Sequence, residues 1–388
     1  MKKIIVSILV LSMTVAAFAQ KWAPVGENIK SPWVEDVNPA APLPEYPRPQ
    51  MVRADWMNLN GLWNYAITEA SADYLKAEGK ILVPFAVESS LSGVGRNITK
   101  NDALWYEKTF TLPRNWAGKN ILLHFGAVDW QAEVFVNGTL VGEHKGGYDP
   151  FSFDVTPFLK KSGKQTLKVK VMDATDNSLQ PRGKQCNLAR GIWYTPVSGI
   201  WQTVWLEPVG PAHIENYYVV SDIDNGTMSF EVESSASEGD VVKVAVLEGG
   251  EGYSAETPSS KVLAEAVVEN GKAVVKLDQV KTWSPDSPYL YGIKVTLQRN
   301  GKVVDSVDGY TAMRKISVVK DHTRNKYRRM ALNNEPLFQF GPLDQGWWPD
   351  GLYTAPTEEA LKFDIIKTKE MGFNMIRKHI KLGHANRC

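Results

Sequence analysis

Apolar and polar residues alternate with a period of two over most of this chain, the pattern of strands with one face in a core and the other toward water. In "QAEVFVNGTLVGEH" (131–144), Ala132, Val134 and Val136 alternate with Glu133 and Phe135. Asn137-Gly138 then supplies the two positive-φ residues of a tight hairpin, and Leu140 and Val141 start the return strand. Comparable runs predict strands at 104–112, 165–173 and 200–208, and "GGYDPFSFDVTPFL" (146–159) has the Gly, Pro and aromatic content of a corner between sheets. A two-sheet jelly roll over 51–208 fits this series. A second series contains "TMSFEVESS", "VVKVAVLE", "KAVVKLD" and "YLYGIKVTLQRNGKVVDSV", with a turn at Asn300-Gly301. It predicts an immunoglobulin-like sandwich of roughly seven strands over 209–318.

At residue 319 the pattern changes. "NNEPLFQFG" predicts a hairpin and a short apolar strand ending at Gly341. "TEEALKFDIIKTKEMG" predicts a helix: Thr357 caps it, Glu358 and Glu359 suit its positive end, and Gly372 ends it. "FNMIRKHI" follows as a second strand, and its mostly apolar make-up predicts a parallel βαβ unit buried on both faces. Upstream of both sandwiches, Pro24, Pro32, Pro39, Pro42, Pro44, Pro47 and Pro49 make residues 20–50 an extended strap or linker.

The first residues, "MKKIIVSILVLSMTVAAFAQ", pair two lysines with an apolar run too short to span a bilayer and close on Ala17-Phe18-Ala19. Residues 1–19 are thus expected to be a cleaved signal peptide. The mature protein is then expected to start at Gln20, to be secreted or periplasmic, and not to be inserted in the membrane after cleavage.

Composition adds exclusions. A net charge of +1 with 22% charged residues gives no reason to expect a nucleic-acid partner. The 13 Trp, 14 Tyr and 13 Phe suit either core packing or stacking on sugar faces. Cys186 and Cys388 are read as free thiols, and His379 and His384 are weak evidence for a metal site. No metal and no cofactor is expected, and the sequence does not reveal the oligomeric state.

Several stretches resemble family 2 glycoside hydrolases, which include β-galactosidases, β-glucuronidases and β-mannosidases. "LNGLWNY" (59–65), "VFVNGTLVGEHKGGYDPFSFDVTPFL" (134–159) and "GIWQTVWLEP" (199–208) resemble the opening, central hairpin and closing strand of that family's sugar-binding jelly roll. Trp283-Ser284-Pro285 with Pro288, Leu290 and Tyr291 is similar to its "WSPxxPxLY" stretch, and "GYTAMRKI" (309–316) to the strand leading into its barrel. The resemblance implies a mainly β, multidomain fold: jelly roll, immunoglobulin-like sandwich, then the first strand-helix-strand of a truncated (β/α)8 barrel over 319–388.

It also implies a retaining glycosidase acting on terminal β-linked sugars, with two glutamates about 5–5.5 Å apart on later barrel strands. Such a barrel needs about 250 residues, so the expectation is that both glutamates are missing from this chain, that no catalytic residue is present, and that the chain alone is inactive. A non-catalytic carbohydrate-binding module and a nonfunctional fragment are the alternatives. Asn334-Glu335 has the letters of the family's acid/base pair but sits at a turn before the first barrel strand, with Pro336 behind it.

What the resemblance leaves is the floor of a sugar pocket at the C-terminal ends of the strands. Arg377, three residues after Asn374, matches the family's substrate-site arginine. His379 follows it by two positions where the family commonly has three. "GPLDQGWWPDGL" (341–352) replaces the family's usual Asn and His pattern, and there Asp344 and Gln345 are candidates for sugar hydroxyls. Trp347 and Trp348 are read with equal weight as a stacking platform or as packing against the jelly roll. The partner implied is a carbohydrate, an oligosaccharide or polysaccharide.

Overall fold

A computed structural model describes residues 22–74, 76–320 and 327–380; the signal-peptide reading of 1–19, and those of His384 and Cys388, fall outside the described residues. The alternation resolves into strands as expected. In Gln165–Met172 every second residue is buried, and in Gln131–Val136 likewise. Asn137 and Gly138 take φ of 52° and 87°, which joins Gln131–Val136 to Thr139–Lys145. Asn300 and Gly301 (50° and 74°) do the same between Leu290–Arg299 and Lys302–Thr311.

The first sandwich pairs a six-stranded sheet with a four-stranded one. The larger runs, edge to edge, through Gly79–Val83, Gly61–Glu69, Asp102–Phe110, Gln165–Met172, Gln131–Val136 and Thr139–Lys145. The smaller runs through Met57–Asn58, Val204–Val209, Asn120–Phe125 and Phe151–Asp154. Their facing side chains, among them Trp63, Tyr106, Phe125, Leu167 and Leu206, form one apolar core. Phe151–Asp154 lies within the predicted corner and joins the smaller sheet, so that corner contributes a strand as well as a turn.

The second sandwich has the seven strands read from the sequence, three in one sheet and four in the other. Its core is built on Phe230, Val244, Tyr291, Ile293 and Val295. Met51 belongs to this core rather than to the first, because Val52 exchanges backbone hydrogen bonds with Asp308 (2.6 and 3.0 Å).

Beyond it, Ile316–Lys320, Arg328–Leu332 and Glu335–Pro336 form a three-stranded antiparallel sheet whose second turn is Asn333-Asn334, both at positive φ (51° and 72°). The helix spans Glu358–Glu370; Thr357 Oγ1 accepts from Ala360 N (3.2 Å), and Gly372 at φ 84° follows the last turn. The chain is thus mainly β, with one strand-helix-strand unit at its C-terminal side.

Three features of that unit differ from the sequence reading. The first parallel strand is Leu343–Asp344 rather than a run ending at Gly341, and it pairs with Arg377–Lys378 alone, not with all of "FNMIRKHI". Gly341 instead marks a close approach of backbones: a Cβ there would stand 1.8 Å from the Met375 carbonyl oxygen. Nor is the unit buried on both faces. Arg377, Lys378, Leu343 and, on the helix, Phe363, Ile365 and Ile366 are exposed. Among the described residues no further strand lies beside the pair, and two strands bury little on their own.

The proline-rich strap is fixed at both ends. Ser31 N donates to Asp350 Oδ2 (2.7 Å), and Trp33 sits edge-on to Trp348 and Phe363 at ring separations of 5.9 and 4.9 Å. Farther along, Arg48 donates to Glu207 Oε2 (2.8 Å) and the Tyr46 hydroxyl to Glu207 Oε1. Among the described residues no helix is long and apolar enough to cross a membrane.

Candidate functional site at the C-terminal ends of the parallel strands

Parallel pairing of Leu343–Asp344 with Arg377–Lys378 brings four of the six sequence candidates to one place. Asp344 accepts from Gly346 N (2.5 Å) and forms an ion pair with Lys378, and its carbonyl receives His379 N (2.8 Å). Arg377 N donates to the Pro342 carbonyl (2.9 Å), while its side chain is exposed and makes no ion pair among the described residues. Gln345 Oε1 and His379 Nδ1 are buried and lack a hydrogen-bond partner among the described residues. Buried polar atoms are rarely left unmatched. The exposed Arg377 guanidinium, beside a paired Asp344, suits the hydroxyls or carboxylate of a sugar, with Gln345 and His379 behind it.

The two tryptophans split. Trp347 stacks on Tyr194 of the first sandwich (4.1 Å between ring centroids, 18° between planes) and meets Tyr353 edge-on at 4.5 Å. One of its faces is therefore occupied, and it packs against the cluster of Tyr148, Trp201 and Tyr353. Trp348 turns toward the strap at Trp33. Both serve the packing between the strand-helix-strand unit and its surroundings. Arg377 and Asp344 stand on the strands, the tryptophans behind them.

The first sandwich contributes residues that the sequence reading passed over. Gly183 lies against Ile380, which follows the second parallel strand: a Cβ on it would stand 2.9 Å from Ile380 Cγ2 and 3.0 Å from the Tyr148 hydroxyl. Tyr148 and Tyr353 share a hydrogen bond through their hydroxyls (3.1 Å). Next along the loop, Gln185 donates to Asp129 Oδ2 (2.9 Å) and accepts from Val197 N (2.6 Å). The available signal was "PRGKQ" at 181–185, polar residues crowded between two predicted strands.

Below Asp129 lie two more buried carboxyls, Glu88 and Asp173. Burial pushes the Glu88 carboxyl up to about 8, against the hydrogen bond from Ser198 N, and Asp173 adds to the rise. Burial, with Asp173 next, likewise lifts Asp129 well above the usual carboxylate range. A raised folded-state pKa stabilises the fold below the unfolded value, near 4.5, and that contribution is lost as pH rises toward 8. Glu88→Gln is therefore expected to flatten stability between pH 4.5 and 8 and to match or exceed the parent at pH 8, by on the order of a few kcal/mol. Urea unfolding at pH 5 and pH 8 measures this; an equal loss at both values would contradict it.

Two clefts flank the strap, one of about 250 Å³ beside Pro44, Trp56 and Asn60 and one of about 290 Å³ beside Asp36, Glu45 and Glu359. Neither is lined by Asp344, Arg377 or His379. Among the described residues no three His, Cys, Asp or Glu side chains are grouped to hold a metal ion. Glu335 is exposed beside the Asn333-Asn334 turn, in the antiparallel hairpin and not at the end of a parallel strand.

Comparison with known proteins adds the family. Residues 83–207 match the sugar binding domain of glycosyl hydrolases family 2, and residues 212–314 match a second family 2 model. A β-galactosidase of Thermoanaerobacter pseudethanolicus is 28% identical over 287 residues, covering 70% of this chain and 36% of the relative. A β-galactosidase of Bacteroides ovatus is 32% identical over 303 residues, covering 74% and 32%. The structure of a β-glucuronidase from Ruminococcus gnavus superposes with a TM-score of 0.69 at 20% identity, covering 87% of this chain and 57% of that one, and so shares the fold. The chain spans about a third of the length of those two β-galactosidases. Two family models in sequence order, over more than half of the residues, lead into the parallel strands that carry Asp344 and Arg377: the chain belongs to family 2 of the glycosyl hydrolases.

Proposed function

We propose that this chain forms the floor and one wall of the sugar pocket of a secreted, retaining β-glycosidase that acts on a terminal β-linked sugar. The observation that carries this reading is the gathering of Asp344, Gln345, Arg377 and His379 at the C-terminal ends of a parallel pair, directly after the two family modules. Active sites of (β/α)8 enzymes sit at that end of their strands.

In this reading Arg377, which is exposed, holds a sugar hydroxyl or carboxylate, and Gln345 and His379 line the floor beside it. Asp344 holds Lys378 and braces the floor. The retaining reaction further needs an acid/base carboxyl and a nucleophilic carboxylate about 5–5.5 Å apart. We assign neither role to a residue of this chain, so the chain alone binds sugar without cleaving it. The names of the relatives supply the candidate sugars, galactose and glucuronic acid.

Aryl β-galactosides and aryl β-glucuronides, assayed with the purified chain, should show no turnover. Calorimetry should show weak binding of one of the two free sugars that Arg377→Met weakens tenfold or more. Turnover abolished by Glu335→Gln would overturn the assignment of roles, and binding untouched by Arg377→Met would overturn the site.

A further inference from the structure

Residues 179–194, "LQPRGKQCNLARGIWY", carry Arg182, Lys184 and Arg190 and no carboxylate. The loop is held firmly at its base. Gln185 is tied to Asp129 and to Val197 N, Tyr194 N donates to the Lys184 carbonyl (2.8 Å), and Cys186 N donates to the Tyr194 carbonyl (2.9 Å). Cys186 Sγ and Asn187 Nδ2 both donate to Asp176, a second carboxylate the loop engages. That carboxylate is thereby spent on a thiol and an amide, and none of the three cations has an ion-pair partner among the described residues.

From this base the segment 187–193 projects outward. Leu188, Arg190, Ile192 and Trp193 are exposed, and the Arg182 guanidinium lies over the Trp193 ring at 5.3 Å. Stacking on the indole limits the motion of the half-buried guanidinium. The location is as informative as the chemistry. Gly183 touches Ile380 just beyond the second parallel strand, and Tyr194 stacks on Trp347 just beyond the first, so the loop borders the floor of the proposed sugar pocket.

We propose that this loop is an outer subsite for an anionic saccharide, a sugar chain bearing uronate carboxylates or sulfate esters, whose terminal residue occupies the floor at Arg377. The proposal rests on the glycosidase reading above. Arg182 and Arg190 meet the anionic groups, and the free edge of Trp193 meets a sugar face. A guanidinium recognises carboxylate or sulfate through paired N–H donors, which a neutral glycan cannot reciprocate; Arg182 is held by Trp193 and Arg190 is exposed on the same loop.

The test is calorimetric titration of the full chain at low and at physiological salt with three hexasaccharides: a uronate-bearing one from hyaluronan, a sulfated one from carrageenan, and neutral cellohexaose. At least one anionic oligomer should bind tenfold or more tighter than the neutral one and weaken with salt. Arg182→Gln with Arg190→Gln should abolish that preference, and Trp193→Ala should weaken binding severalfold. Arg190 and Trp193 are exposed and Arg182 is half-buried without an ion pair among the described residues, so thermal unfolding of the variants should stay close to the parent. The uronate and sulfate arms tell which anion is meant. Equal affinity for all three oligomers, or a preference that survives the double arginine variant, overturns the proposal. If the preference depends on Arg182 and Arg190 while Arg377→Met has no effect, the outer subsite stands and the pocket reading fails; the reverse pattern sinks the subsite alone.

Discussion

Glu207→Ala is expected to lower the unfolding free energy by roughly 3–5 kcal/mol, the cost of leaving buried charge without its counter-ion. Glu207 is fully buried at the junction of both sandwiches and the strap. Arg48 donates to it at 2.8 Å, the Tyr46 hydroxyl donates to it, His124 Nε2 lies 3.1 Å away and Arg53 Nε 3.8 Å away. Arg53 also bonds Asp305 and the Ile214 carbonyl, so the carboxylate is the hub that lets two guanidinium groups sit inside. Burial alone would raise the Glu207 carboxyl; Arg48 first, then His124 and Tyr46, outweigh it and hold the group far below the usual glutamate range. Burial also pushes the His124 imidazole below its ordinary value, against the pull of Glu207.

The sign for pH follows. A depressed carboxylate contributes stability that is present above its unfolded value, near 4.5, and is lost as pH falls below it. The parent should therefore lose stability on acidification from about pH 5 downward, and Glu207→Ala, already destabilised, should show a shallower loss. Glu207→Gln should fall between the two, since it keeps the shape and one acceptor. Urea denaturation at pH 7 and pH 4 decides; a loss under about 1 kcal/mol at pH 7 would mean that water enters and solvates the arginines.

The second large effect concerns the seat of the candidate site. Tyr353→Ala removes a ring that is 4% exposed and that meets Trp201 at 5.2 Å and Trp347 at 4.5 Å, along with the hydroxyl bonded to Tyr148. An aromatic-to-alanine change in a packed cluster costs roughly 3–5 kcal/mol. Its neighbour Thr354 donates from Oγ1 to the Trp201 carbonyl (2.5 Å), so the turn before the helix is fixed to the first sandwich at adjacent residues. The variant should loosen the strand-helix-strand unit while leaving the sandwiches folded. Hydrogen exchange should then speed up over 343–378 and stay unchanged in Gln165–Met172. Tyr353→Phe should recover most of the loss, because packing accounts for more of it than the hydroxyl. Uniform exchange across both regions would show that the unit and the sandwich unfold together.

How much of this was readable from the letters depended on how local the cause was. The hairpins at Asn137-Gly138 and Asn300-Gly301 and the capped helix from Thr357 follow from short-range backbone chemistry, and all three stand as read. The two sandwiches followed from period-two alternation, since one face of each strand is buried. The parallel unit was recognised in kind and misplaced in detail. "FNMIRKHI" is apolar enough for a buried strand, yet its apolar side chains have no neighbouring strand to meet among the described residues, and only Arg377–Lys378 pairs. The site was half visible. Arg377 and Asp344 could be named from a motif and a loop. Gln185, Asp129 and Tyr148 could not, because what brings them together is contact across 37 to 56 positions and a glycine at Ile380. Trp347 and Trp348 carried no sequence signal to choose between stacking and packing; their contacts with Tyr194 and Trp33 are visible only in the fold.

Ser31 and its acceptor Asp350 are separated by 319 positions, although both ends of that bond are held in place in the folded chain. At a ribosomal pace of about 5–20 residues per second, the acceptor emerges some 15 to 65 s after the donor. Val25 N also donates to the Ser90 carbonyl (3.0 Å), so the segment has a seat on the first sandwich before Asp350 exists, and only the Ser31 bond waits for it. One bond of an early-made stretch is thus the last available to close, like a buckle threaded at the end of dressing.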